Sequence, residues 1–276
     1  MSFSVAHLVG SFELAIAAIG AVLFWRLVLS PAARATRRPA ALPRWNVTLF
    51  EFLSFVFFII GGSFFAAAVA GLVGKNLALR GDAMTVFTGG AAQLGMLGGV
   101  WLYWSRPDRG RPKGPSQGPG AFVSGAVTFL VSLPVLLLAA NLWELIINAS
   151  GLPTERQSLI AMFANADSPL LLAIMITLAV VIAPLTEELV FRAGLFRYLR
   201  SCTPRWVALG VSALLFASLH VNWVTLEGLT SFVPLVVLAV MFSLAYERTG
   251  KIGTAIVAHG LFNLNTIVLI FSGVGL

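Results

Sequence analysis

The sequence predicts an all-α polytopic membrane protein of about eight transmembrane helices, and three observations carry that prediction. The 276 residues are 58% hydrophobic and 11% charged, with a mean hydropathy of +0.92, whereas a soluble domain carries roughly 25% charged and 45–50% apolar residues. The apolar residues gather in runs of around 20, the length that crosses a hydrocarbon core about 30 Å thick. The 18 Lys+Arg sit mainly between those runs, the pattern of membrane topology rather than of a nucleic-acid surface. A water-soluble globule, a disordered chain and a nucleic-acid module are thereby excluded. The one cysteine, Cys202, permits no intrachain disulfide, so the compartment is not legible in redox chemistry.

The runs fall at about 8–29, 48–73, 84–104, 121–147, 169–197, 206–222, 231–246 and 253–273. The first has no basic segment ahead of it, since its first positive charge is Arg26 at the far end, and it reads as a span rather than a signal peptide. With the 31–47 loop inside, strict alternation also puts 105–120, 198–205 and 247–252 inside. Those loops and the adjoining helix ends hold every one of the 18 Lys+Arg except Lys75, Arg80 and Arg156. This five-to-one bias supports eight spans with both termini non-cytoplasmic. The basic, Pro/Gly-rich stretch SRPDRGRPKGPSQGPG at 105–120 is the natural boundary. It divides 1–120, three spans and the loop, from 121–276, five spans with nearly all the chemically interesting polar residues. Gly95 and Gly99 form a GxxxG pair, read as close helix packing. No internal repeat of the kind found in transporters is visible.

An ionisable side chain near the bilayer centre costs at least about 2.5–3.5 kcal/mol, so each one needs a reason. Glu13, Glu51 and Glu144 lie near span ends and read as interfacial. Asp82, Asp108, Glu155, Asp167, Glu227 and Glu247 read as solvated in or beside loops, as does His7 ahead of the first span.

The fifth span differs. Its VIAPLTEELVFRAGLFRYLR places Glu187 and Glu188 side by side about ten residues before Arg197, roughly 15 Å inside the apolar slab. Pro184 removes a backbone hydrogen bond and is expected to kink the helix just before them. Glu188 and Arg192, at i and i+4, can form a salt bridge. Glu187 is then left for chemistry, because two carboxylates against one Arg leave a surplus negative charge. The sixth span brings Phe216 and His220 at i and i+4, and the eighth brings His259 and Asn263 at the same spacing. Counting residues from the turns puts Glu187 and His220 at comparable depth; helix tilt or an unwound stretch would bring His259 level.

A buried carboxylate and an imidazole can share a water and remove its proton. A second His with an Asn can donate to the oxyanion of a tetrahedral intermediate. Alternatively, two His and one Glu form a zinc ligand set, with the other Glu as base. Either scheme hydrolyses an acyl bond, most naturally a peptide bond. GxSxG and HExxH are both absent, and Cys202 has no His near it in sequence.

TEELVFR fits EExxxR, Phe216–His220 fits FxxxH, and His259–Asn263 fits HxxxN. In this order, on separate helices, they resemble the CPBP family of intramembrane proteases. That family includes the type-2 CAAX prenyl endopeptidases and the bacterial Abi or bacteriocin-processing homologues. The resemblance covers roughly 125–272 and implies an endopeptidase whose catalytic cavity lies inside the C-terminal helix bundle. It implies that Glu187 and His220 activate water, that His259 and Asn263 form the oxyanion hole, and that Glu188, Arg192 and Phe216 support them. Where the family commonly has Gly after the motif Arg, this chain has Ala193 followed by Gly194. On cofactors the sequence favours none over zinc, because Asn263 is a poor zinc ligand and a good oxyanion donor; if zinc is bound, the ligands are Glu187 or Glu188, His220 and His259. The expected partners are the lipid bilayer and a membrane-anchored protein or peptide substrate, lipidated or not, with no nucleic acid. The lean body and short loops point to a bacterial inner membrane. A scaffold or a proton-coupled carrier using Glu187 and His220 is the competing reading.

Overall fold

A backbone that crosses lipid must satisfy its own hydrogen bonds, and runs of this length do so as helices. The structure, a computed structural model, describes residues 5–36, 40, 42–112, 120–152, 162–163, 168–226 and 228–274, and among the described residues every regular element is helical, with no strand. Helix α1 is Val5–Phe24, extended by a π turn over Trp25–Leu29 and followed by the short α2, Pro31–Ala35. Helix α3, Leu49–Asn76, starts at a capping box in which Thr48 and Glu51 satisfy each other's backbone N–H. Then come α4, Gly81–Trp104, and α5, Ala121–Ser150. Helix α6 runs from Pro169 to Cys202 with π stretches at Leu178–Ile182 and Glu188–Phe196. The chain ends with α7, Arg205–Ser218, α8, Phe232–Thr249, and α9, Ile252–Ser272.

Among the described residues six helices are long and apolar enough to span a membrane: α1 with its π turn, α3, α5, α6, α8 with its Leu229–Ser231 lead-in, and α9. The two other expected spans differ from these for visible reasons. Helix α4 has 24 residues, but its glycines, Thr85, Thr88 and Gln93 dilute its hydropathy. Helix α7 has 14 residues, about 21 Å of rise.

The loops expected on one side do meet at one end of the molecule. Trp45 donates its N–H to Ser201 Oγ (2.8 Å) and its Nε1–H to the Arg109 carbonyl (2.9 Å). Arg197 reaches the Gly110 carbonyl (2.8 Å), and Arg248 reaches the Leu27 carbonyl (3.5 Å). This basic end joins the 42–48, 105–111, 197–205 and 247–251 segments. Arg37, Arg38, Lys113, Glu155, Arg156, Asp167 and Glu227 lie outside the described residues.

Helix α6 is packed on several sides. Trp45, Phe52, Phe55, Tyr103 and Trp104 build an aromatic cluster against Ala193, with Leu189 and Leu195 at its border. Phe191 of α6 meets Phe216 of α7 and Ala239 of α8, while Met175 joins Val86 of α4 and Ile267 of α9. Helices α3 and α4 form a hairpin held at close range by small residues, as the GxxxG pair predicts. A Cβ on Gly95 would collide with the Gly62 carbonyl oxygen, and backbone has nowhere to move. Gly95→Val is therefore expected to cost about 1–3 kcal/mol by overpacking, measured as a lower melting temperature in detergent. Gly98→Val on the open face of the same helix, with nothing within 4 Å of its Cβ position, is the matched control and is expected to melt like wild type.

Candidate active site

The site is built where three helices pass one another. Within the π register at Leu178–Ile182, Ala183 N–H bonds back to Leu178 O, five residues earlier. Pro184 has no N–H to continue that register, so the Ala179 carbonyl loses its partner. Asn263 of α9 supplies the missing donor, Nδ2 to Ala179 O at 2.8 Å. One turn away Gly260 abuts the same stretch: a Cβ there would lie 2.7 Å from Val180 O. The proline, the glycine and the asparagine together let α9 lie directly on α6.

That close approach brings His259 to the acidic pair. Its Nδ1 lies 2.9 Å from Glu188 Oε1, and since a carboxylate only accepts, Nδ1 is the donor. Arg192 Nη1 is 3.0 Å from the same oxygen, and both side chains of that pair are fully buried. The contact lies off the line of an N–H bond, because Nη1 makes no hydrogen bond that meets angular criteria; charge holds the pair. The guanidinium also lies over two rings, 4.4 Å from the Phe216 centroid and 5.7 Å from that of Phe242, cation–π contacts suited to a planar cation.

Glu187 has no such commitments. Its side chain is 17% exposed, and its Oε2 stands 4.0 Å from His220 Nε2 and 3.9 Å from His259 Nε2. Neither separation is a hydrogen bond. Both are distances that one bridging water spans, at about 2.8 Å from each group. Helix α7 ends at Ser218, so His220 sits in the turn just beyond it. Its Nδ1 faces the Phe216 carbonyl at 2.8 Å. A carbonyl only accepts, so this fixes Nδ1–H and presents Nε2 as the basic nitrogen.

The structure thus gathers Glu187, Glu188, Arg192, Phe216, His220 and His259 in one cluster. Asn263 stands beside it on the α6 backbone. The residues present are not spaced as a zinc ligand set. Bonds of about 2.0–2.1 Å in tetrahedral geometry bring donors to about 3.3 Å from one another, closer than the 3.9 and 4.0 Å here. Among the described residues no group of three or more His, Cys, Asp or Glu is placed to hold a metal ion.

One acid assigned to water by position, Glu247, is elsewhere, and one assigned to the interface, Glu13, has a partner on another helix. Glu247 is 2% exposed, not solvated, and binds both Arg200 Nε and Arg205 Nε at 2.7 Å. Glu13 turns its Oε2 to Asn265 Nδ2 at 3.3 Å, and its Oε1 is buried. Each partner lies on another helix, which helical spacing within one segment does not report.

Residues 169–265 match the family described as type II CAAX prenyl endopeptidase Rce1-like. That stretch is a domain of this protease family. All seven residues singled out in the sequence, from Glu187 to Asn263, lie inside the Rce1-like domain. The chain is a multi-pass integral membrane protein, with six candidate spans among the described residues. It is also similar to the UPF0177 protein YbdI of Lactococcus lactis subsp. lactis (strain IL1403), 34% identical over 96 residues, which are 34% of this chain and 46% of that protein. The chain therefore spans about half the length of the curated relative it matches. No solved structure matches the chain.

Proposed function

We propose that the protein is an intramembrane endopeptidase that hydrolyses a peptide bond of a membrane-anchored protein or peptide. The observation that carries this is the placement of Glu187 Oε2 about 4 Å from two imidazole Nε2 atoms, inside an Rce1-like domain. A water held between Glu187 and His220 gives up a proton to that pair as its oxygen attacks the scissile carbonyl carbon. The oxyanion takes hydrogen bonds from His259 and Asn263. With Nδ1–H committed to Glu188, His259 turns Nε2 toward Glu187, and donation from that atom needs the ring's second proton. The proton then passes to the leaving amine, releasing a new carboxylate and a new amino terminus.

The reading extends to the whole chain. Eight crossings, counting α4 and the short α7, put both termini on the non-cytoplasmic side of a bacterial inner membrane and the basic end in the cytoplasm. Residues 121–276 form the catalytic core, and 1–120 buttress it through the aromatic cluster against α6.

The test compares peptide termini in the membrane fraction of cells carrying wild type with those of cells carrying Glu187→Gln at matched abundance. Termini present only with wild type name the substrate and the cleaved bond. An unchanged set of termini, with candidate substrates detected, overturns the protease reading in favour of a scaffold or carrier. On the substrate so identified, Asn263→Ala is expected to lower kcat by about 10²–10³-fold with little change in KM. A loss of thermal stability with kcat unchanged would instead confine Asn263 to holding the Ala179 carbonyl.

A further inference from the structure

At the basic end, 15 residues beyond Glu187 along α6, the 42–44 segment crosses the ends of α6 and α8 and encloses a cavity of about 210 Å³. Its lining includes Arg44, Arg197, Arg200, Ser201 and Glu247. The charges do not balance. Glu247 is the one carboxylate of the lining, and its two oxygens are already taken by Arg200 and, from the flank, Arg205. Arg44 and Arg197 have no carboxylate within 4 Å among the described residues. Arg197 is 5% exposed, and its guanidinium is held by two backbone carbonyls, Pro43 O at 3.2 Å and Gly110 O at 2.8 Å. A buried cation facing a cavity without a counter-charge calls for an anion.

A second observation places this cavity at the level of lipid headgroups. Trp25 at the end of α1, Trp101 near the end of α4 and Trp206 at the start of α7 all lie toward this end, each more than half exposed. Arg205 covers the Trp206 ring at 5.1 Å. Exposed Trp beside Arg marks the membrane–water interface. A basic pocket between helix ends at that depth is the geometry that takes an anionic headgroup.

We propose that this cavity binds a phosphate ester anion, supplied by the headgroup of an anionic phospholipid, with Arg44 and Arg197 as its principal cations. Cavity size agrees: the space holds several water-sized groups, enough for a phosphodiester and its glycerol. Arg44 is exposed and closes the site from the 42–44 segment, so the bound lipid ties that segment to α6. The site is separate from the acidic cluster and does not depend on the protease reading.

The test uses the full-length protein in detergent, with lipid retention read by native mass spectrometry and melting temperature read alongside. Wild type is expected to retain phosphatidylglycerol at least about tenfold over phosphatidylcholine, and Arg44→Gln to lose about tenfold of that preference, the scale of one charge-assisted hydrogen bond. Arg34→Gln removes an exposed charge from α2 at the same end, outside the cavity, and is expected to change nothing. Equal retention of the two lipids, or an unchanged Arg44→Gln, overturns the site. Equal losses from Arg34→Gln and Arg44→Gln also overturn it, in favour of diffuse surface charge. Inorganic phosphate that raises the melting temperature of wild type but not of Arg44→Gln, as strongly as phosphatidylglycerol does, supports the anion site with a soluble source. Protection by the lipid alone supports the bilayer as the source.

Discussion

Glu187→Gln protein is expected to insert and melt like wild type while turning over substrate about 10²–10⁴-fold more slowly, the usual contribution of a general base. The side chain is partly exposed, and its nearest basic neighbours stand at 3.9 and 4.0 Å, so an amide of the same shape breaks no existing hydrogen bond to either imidazole. It cannot accept the proton of an attacking water. Glu188→Gln, one residue on, is expected to fail in the opposite way. Its Oε1 serves Arg192 and His259 at 3.0 and 2.9 Å in a fully buried setting, and neutralising it strands a buried guanidinium. Loss of activity with an unchanged melt at 187, and a lowered melt at 188, would separate chemistry from support. A melting temperature that falls several degrees in Glu187→Gln would instead assign Glu187 to the structural ion cluster.

The acidic pair was legible because charge in an apolar run is expensive, and a chain that keeps it must compensate it nearby. Spacing alone gave the Glu188–Arg192 contact, since i and i+4 share a helix face. The long spans were legible for a similar reason: an apolar run of membrane length has few other uses. Helix α7 was overestimated because Leu219, His220 and Val221 extend the apolar pattern past Ser218, where the helix stops. That stop leaves the His220 ring to bond the Phe216 carbonyl from a turn.

Partners on different helices were not legible. Distance from a helix end was read as a route to water for Glu247, but Arg200 and Arg205 arrive from α6 and α7 and enclose it. Glu13 meets Asn265 across 252 residues of sequence. Pro184 was read as a kink; that its freed carbonyl would be claimed by Asn263 follows only once α9 lies against α6.

Arg192→Met is expected to destabilise the protein by about 3–5 kcal/mol, because it removes the partner of a carboxylate that no water reaches. Met keeps much of the volume between Phe216 and Phe242, so the loss measures charge more than packing. Adding Glu188→Gln is then expected to recover most of that stability. A neutral pair of similar volume avoids the desolvation that the ion pair had to offset, and the Gln oxygen still accepts the His259 Nδ1–H. The coupling between the two sites, read as a double-mutant cycle on melting or denaturant midpoints, is expected to reach about 3 kcal/mol or more with the rescue sign, at or above the upper end for residues in contact. Activity is expected not to follow. The Gln amide at 188 no longer anchors the ring with a charge-assisted bond to Nδ1, so His259 is held less firmly beside Glu187 Oε2, 3.9 Å away, and the doubly substituted enzyme folds but turns over slowly. If turnover returned along with stability, the ion pair would be a packing device alone.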